Sequence, residues 1–169
     1  MTISMYQSSI PVFIRHLNNL SVILKKGEAY AAAKKIDGSV LMNCRLAPDM
    51  FPLVRQVQIT SDTVKAGAAR LAGIEVPSFE DNETTFEQLQ ERIAKTIKFL
   101  QSIKAEQIDG SESKKISYTH RNKENNFIGL PYLLNYTLPN LYFHITIAYA
   151  ILRHNGVEVG KKDYLGDLS

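Results

Sequence analysis

Cysteine is nearly missing from this chain: Cys44 is the only one in 169 residues. A single thiol excludes an internal disulfide and any cysteine cluster able to hold zinc, and it suits a reducing compartment. Set between Leu41-Met42 and Leu46, Cys44 reads as a small buried apolar side chain, with a reactive thiol as the alternative. Charge of one sign is lacking too. Twenty Lys and Arg stand against 17 Asp and Glu, a net charge of +3, too balanced for the strong field that nucleic-acid binding uses. The basic pairs Lys25-Lys26, Lys34-Lys35, Lys114-Lys115 and Lys161-Lys162 are scattered, as solvated helix ends and loops would be. No apolar run has the length to span a bilayer. The stretch up to Leu24 has no basic leader, and Arg15 and His16 interrupt its apolar residues, so neither a signal peptide nor an anchor is expected. On these grounds neither nucleic acid nor a membrane is an expected partner, and the cytoplasm is the expected location.

Sharp catalytic motifs are absent as well. There is no nucleophile elbow, phosphate loop or dinucleotide fingerprint. There is no E-x-x-H, which disfavours a di-iron carboxylate bundle.

What the chain does have is helical periodicity. Tyr6, Ile10, Phe13, Leu17, Leu20 and Leu24 recur at alternating steps of four and three, one stripe of a helix. Ser8 or Ser9 is its expected cap, ahead of Pro11, and Gly27 is expected to end or bend it. A second helix is expected from about Asp49 to Ala72, with Met50, Val54, Val57, Val64, Ala68 and Leu71 inward and Gly73 as its stop. Its small residues Ala66, Gly67, Ala68 and Ala69 invite a neighbouring helix to approach closely. A third starts at Thr84 or Thr85 with a capping box to Glu87 or Gln88, and buries Phe86, Leu89, Ile93, Ile97, Leu100 and Ile103. Between this helix and the last, Ile116, Tyr118 and Phe127 alternate enough for a small hairpin, and His120 beside Arg121 reads as a solvated loop histidine.

The last helix is expected over Pro131–His154, with a kink or restart at Pro139. Its apolar residues surround most of the circumference, which implies a buried, central helix. Length bounds the chain to one domain over residues 1–169, and four amphipathic segments give an all-α four-helix bundle.

The stretch able to carry chemistry lies in that last helix. Asn140 and His144 are four apart and share a face with Thr137, Ile147 and Ile151. An imidazole and an amide oxygen there can ligate a metal or orient a substrate. The alternative is a core histidine satisfied by Asn140 or a tyrosine. His16 flanks the stripe of the first helix, and His154, at the end of the last, reads as a partner of the helix dipole and solvent.

Several blocks carry a resemblance: Met5-Tyr6-Gln7, Ile10-Pro11-Val12-Phe13, Leu46-Ala47-Pro48-Asp49-Met50-Phe51-Pro52-Leu53, Arg70-Leu71-Ala72-Gly73, Glu83-Thr84-Thr85-Phe86, Leu138-Pro139-Asn140-Leu141-Tyr142-Phe143-His144, and Tyr149 through Val157. With these the chain resembles the DinB/YfiT-like superfamily of metalloenzymes, and within it a bacterial branch catalogued only as a domain of unknown function. The resemblance implies an up-down-down-up bundle, frequently a homodimer, and relatives that include thiol-dependent transferases and isomerases. It implies a divalent metal such as zinc, nickel or iron, held by one histidine of the second helix and an H-x-x-x-H of the last. Carried onto this chain, His144 matches the second histidine of that motif and Asn140 stands at the first. The second-helix position falls on Gln58, with Gln56 as the other register.

Amide oxygens are weak ligands beside imidazole, so a pocket without metal is the equal alternative to a degenerate metal site. The expected functions are accordingly a metal- or thiol-dependent transferase or isomerase using His144 as ligand or general base, or a metal-free bundle. The latter holds a small molecule against Tyr142, Phe143 and Tyr149, or serves as a structural homodimer.

Overall fold

The computed structural model describes residues 3–120 and 122–167. Arg121 and the side chain of His120 lie outside the described residues, and with them the reading of His120 as a solvated histidine. Most of the chain is helical, with one two-stranded hairpin.

The first helix, α1 (Ile10–Lys34), buries Ile10, Phe13, Leu17, Leu20 and Leu24, the stripe its spacing predicts. Ser9 is its N-cap, although the Ser9 hydroxyl donates back to the Met5 carbonyl at 2.7 Å and leaves the helix amides alone. Gly27 does not end α1, which runs on past it to Lys34. It is buried, and a Cβ there would lie 3.0 Å from a Leu152 methyl, so its bareness lets the last helix close in. A short α2 (Gly38–Asn43) follows, capped by the Asp37 carboxylate on the Ser39 amide at 2.8 Å.

The second long helix, α3 (Leu53–Ala72), starts later than Asp49, because Pro52 is extended and restricts the residue before it. Met50 therefore precedes the helix. Gly73 ends α3 in the left-handed region at φ 74°, where a side chain is disfavoured. Helix α4 (Phe86–Gln101) has Thr85 as N-cap and the capping box with Gln88, both hydrogen bonds 3.2 Å long. Ile103 is buried just beyond it. After α5 (Ala105–Ile108), strands β1 (Lys115–His120) and β2 (Lys123–Ile128) pair antiparallel, with Ser117 opposite Asn126.

The final long segment is not one regular helix. A single turn, α6 (Gly129–Pro131), leads into a π-helical turn over Tyr132–Thr137 and then α7 (Leu138–His154). Pro139 has no N–H for the Asn135 carbonyl and its ring crowds that carbonyl; the wider turn just before it absorbs the mismatch. Only one side of α7 is buried, through Leu141, Ile145, Ala148, Ile151 and Leu152. Phe143 is 54% exposed, which corrects the expectation of a fully enclosed helix. Helix α8 (Lys161–Leu165) docks on α1, where Asn19 donates to the Tyr164 carbonyl at 2.9 Å.

Helix α1 packs on α4 and α7, and α3 packs on the same two. Their inner faces form one hydrophobic cluster running from Met5 to Val159. Gly67 is where the small residues of α3 matter most: a Cβ there would stand 2.5 Å from Thr137 Cγ2. The connection from α3 to α4 runs back along α3. Phe79 lies under the Lys65 ammonium at 3.9 Å, Asp81 pairs with Arg55, and Glu83 accepts from Gln58 at 2.8 Å. Helix α4 thus begins beside the N-terminal half of α3. No helix among the described residues is long and apolar enough to cross a membrane.

Candidate functional site

His144 projects from α7 toward the first turns of α3 and meets Gln56, which is 1% exposed. The Gln56 Nε2 donates to the Phe51 carbonyl at 3.0 Å, so its Oε1 is turned to His144 Nδ1 at 2.8 Å. Flipping the amide would set oxygen against oxygen at Phe51, because a carbonyl only accepts. Oε1 likewise only accepts, so Nδ1 must carry the ring proton and Nε2 keeps its lone pair. Burial, and then the charge of Arg55, lower the His144 pKa below 6.5. At neutral pH this is an uncharged imidazole with a fixed tautomer.

The other candidate ligands turn elsewhere. Gln58 is buried, accepts from Arg55 Nη1 at 3.0 Å and donates to Glu83 Oε2 at 2.8 Å. Asn140 donates to the Tyr136 carbonyl, one turn back along its own segment, at 2.6 Å. No hydrogen bond among the described residues joins His144 to Asn140 or Gln58. Of the two registers, Gln56 is the one brought to His144. Among the described residues no group of three or more His, Cys, Asp or Glu is arranged to hold a metal ion. A zinc, nickel or iron ion would find one imidazole, a weak amide oxygen at Asn140 and two glutamine oxygens already engaged, and this donor set does not fit it.

The aromatic residues of the last helix divide as well. Phe143 packs edge-on against His144 at 5.2 Å, Tyr142 sits 5.1 Å from the His16 ring, and Tyr149 faces Tyr164 at 6.3 Å. His16 itself is bonded through Nδ1 to the Val12 carbonyl at 2.9 Å, and burial lowers its pKa. His154 is exposed in the last turn of α7. Cys44 is half-buried, with its thiol toward the Val40 carbonyl at 3.2 Å and Asn155 Oδ1 at 3.4 Å.

A cleft of about 280 Å³ opens between α3 and the π-helical turn, lined among others by Phe51, Arg55, Arg70, Tyr118, Tyr136 and Asn140. His144 stands one turn beyond Asn140 and is not part of its lining. The Arg70 guanidinium lies 3.4 Å from the centre of the Tyr118 ring and donates from Nη1 to the Tyr132 hydroxyl at 2.9 Å. Tyr132 and Tyr136 stack at 5.6 Å, and Phe127 closes on Tyr136 at 5.2 Å. Burial, and then a hydrogen bond with Tyr136, push the Tyr118 hydroxyl well above its ordinary range. Burial also raises Tyr132, against the opposing effect of Arg70. Sequence reading placed Tyr118 in the hairpin but missed Arg70, Tyr132 and Tyr136 as site residues. A signal was present: Tyr132, Tyr136, Asn140 and His144 follow one another at steps of four.

Residues 5–165 match the family described as a domain of unknown function, DUF1993. The chain belongs to this family. A solved crystal structure of a DinB family member protein from Shewanella denitrificans is 44% identical, covering 96% of this chain and 92% of that one, with a TM-score of 0.88. The fold is therefore DinB-like. No curated protein matches the chain.

Proposed function

We propose that this DinB-like protein, one domain over its 169 residues, binds a small molecule without a transition metal. The binding place is the cleft between α3 and the π-helical turn, and His144 is a neutral imidazole beside its Asn140 end. One observation carries the reading: both glutamines that could replace the missing histidine have their amides committed inside the protein, Gln56 to Phe51 and His144, Gln58 to Arg55 and Glu83. A ligand-free amide pair would still be available to an ion; this pair is not.

An up-down-down-up arrangement of α1, α3, α4 and α7 accompanies the proposal. It is supported by the link that returns along α3 from Phe79 to Glu83, as expected of two helices that run the same way.

The test is metal analysis of tag-free protein, followed by thermal unfolding with added zinc, nickel or iron. The expected result is metal below about a tenth of an equivalent and no shift in the melting temperature, since a ligand stabilises only by binding the folded state. Stoichiometric metal that is lost in His144→Ala would overturn the proposal.

A further inference from the structure

The cleft holds a positive charge with which no carboxylate among the described residues pairs. Lys26, Arg55, Lys65 and Arg92 each pair with a carboxylate. Arg70 is half-buried, and among the described residues no carboxylate pairs with it. Its guanidinium gives one N–H to the Tyr132 hydroxyl at 2.9 Å and rests its face on Tyr118 at 3.4 Å, which leaves most of its planar set of donors for another acceptor. A guanidinium removed in part from water and left without an anion is costly, so the cleft is organised for a ligand that supplies one.

The rest of the lining narrows the class of anion. Asp62, the acid in the same cleft, is already held by Lys65 Nζ and Arg92 Nη2, each 2.9 Å from its Oδ1. It does not compete for Arg70, and its charge opposes a second negative charge on the ligand. Tyr136, stacked on the buried Tyr132 ring, offers an aromatic surface, and Phe51, Ile59 and Ala66 add apolar area. Such walls favour a flat, apolar body. At about 280 Å³ the space sits at the small end of ligand pockets, near 300 Å³, and suits one ring.

We infer that this cleft binds a small aromatic monocarboxylate, with the carboxylate on Arg70 and the ring against the tyrosine walls. The inference rests on the metal-free small-molecule reading and gives that site its ligand class.

The experiment titrates the full chain with benzoate, benzamide and inorganic phosphate, followed by ligand-observed NMR. Benzoate is expected to bind saturably and about tenfold or more tighter than benzamide, because only the charged form makes charge-assisted bonds to the guanidinium. Phosphate is expected to bind more weakly than benzoate. Arg70→Gln is expected to lower benzoate affinity about tenfold and leave benzamide unchanged, with Arg70→Lys between the two. The wild-type comparison needs no variant to fold.

Benzamide binding as well as benzoate overturns the carboxylate assignment and leaves the cleft as a binding site. Phosphate binding as tightly as benzoate overturns the aromatic part. No saturable binding by any probe overturns both the inference and the cleft as the place of function.

Discussion

Arg92→Leu is expected to destabilise the fold by about 3 kcal/mol, the lower end of what removing one partner of a buried ion pair costs, because Glu83 is the buried carboxylate among its partners. Arg92 is only 3% exposed and sits where the returning 74–85 segment crosses α3 and α4. Its Nη1 donates to the Glu80 carbonyl and to Glu83 Oε1, both at 2.9 Å, while Nη2 reaches Asp62 at 2.9 Å and Asp81 at 3.0 Å. With leucine in place, Asp62 keeps Lys65 and Asp81 keeps Arg55, but Glu83 loses its cation and keeps the Gln58 amide and its own backbone N–H.

Glu83 also makes the deficit depend on pH. Burial pushes its carboxyl up, but the hydrogen bonds from Arg92 and Gln58 outweigh burial and hold it below the ordinary 4.5. A depressed carboxyl contributes stability that is fully present above its unfolded pKa and is lost as pH falls through the folded one. Without Arg92 the largest downward pull on this carboxyl is gone, so the variant has less of this stability to lose as pH falls. Urea unfolding at neutral and acid pH should therefore show a deficit that narrows below about pH 4.5. A deficit equal at both pH values would contradict the role given to Glu83.

Gly129→Ala is the second large effect. A Cβ at Gly129 would lie 1.9 Å from the Ser111 carbonyl oxygen and 3.0 Å from its carbon. That obstacle is backbone, and it is pinned: Gly129 donates to the Lys114 carbonyl and Leu130 to the Glu112 carbonyl, both at 2.9 Å. Overpacking commonly costs about 1–3 kcal/mol, and a clash with fixed backbone belongs at the upper end. For a chain of this length that is a melting temperature roughly 6–12 °C lower. The exit of β2 leads through α6 into the π-helical turn, so near-ultraviolet circular dichroism of the tyrosine cluster should change as well. An unchanged melting temperature would show that the 111–114 turn yields more easily than its hydrogen bonds imply.

The helices were legible because their cores are stripes. Phe13, Leu17 and Leu20 recur at helical spacing, and Thr85 with Gln88 marks a start that the structure reproduces. Local patterning does not encode everything. Gly27 has the composition of a helix end, yet it sits inside α1 because Leu152, far away in sequence, needs the space. Pro139 foretold irregularity but not its form, since a kink, a restart and a π-helical turn all relieve the same missing N–H. The apolar circumference of the last helix overstated burial, because one aromatic face remains in solvent.

At the candidate site, His144 was visible as an isolated polar group on an apolar helix. Its partner was not. Gln56 and Gln58 differ by two residues, which places them on different faces of α3, and only the packed α3–α7 interface decides which one meets the imidazole. Arg70 stayed hidden because one arginine on a helix resembles any other until its partners are seen, a tyrosine hydroxyl and a tyrosine ring.

The most direct test of the central claim, that His144 is a fixed neutral imidazole and not part of a metal centre, is long-range proton–nitrogen NMR of the histidine rings without and with zinc. The account predicts Nδ1 protonated and Nε2 unprotonated at neutral pH, a pKa below 6.5, and a His144 signal that stoichiometric zinc leaves unmoved. A proton on Nε2 at neutral pH, or an Nε2 resonance displaced by one equivalent of zinc, would contradict it.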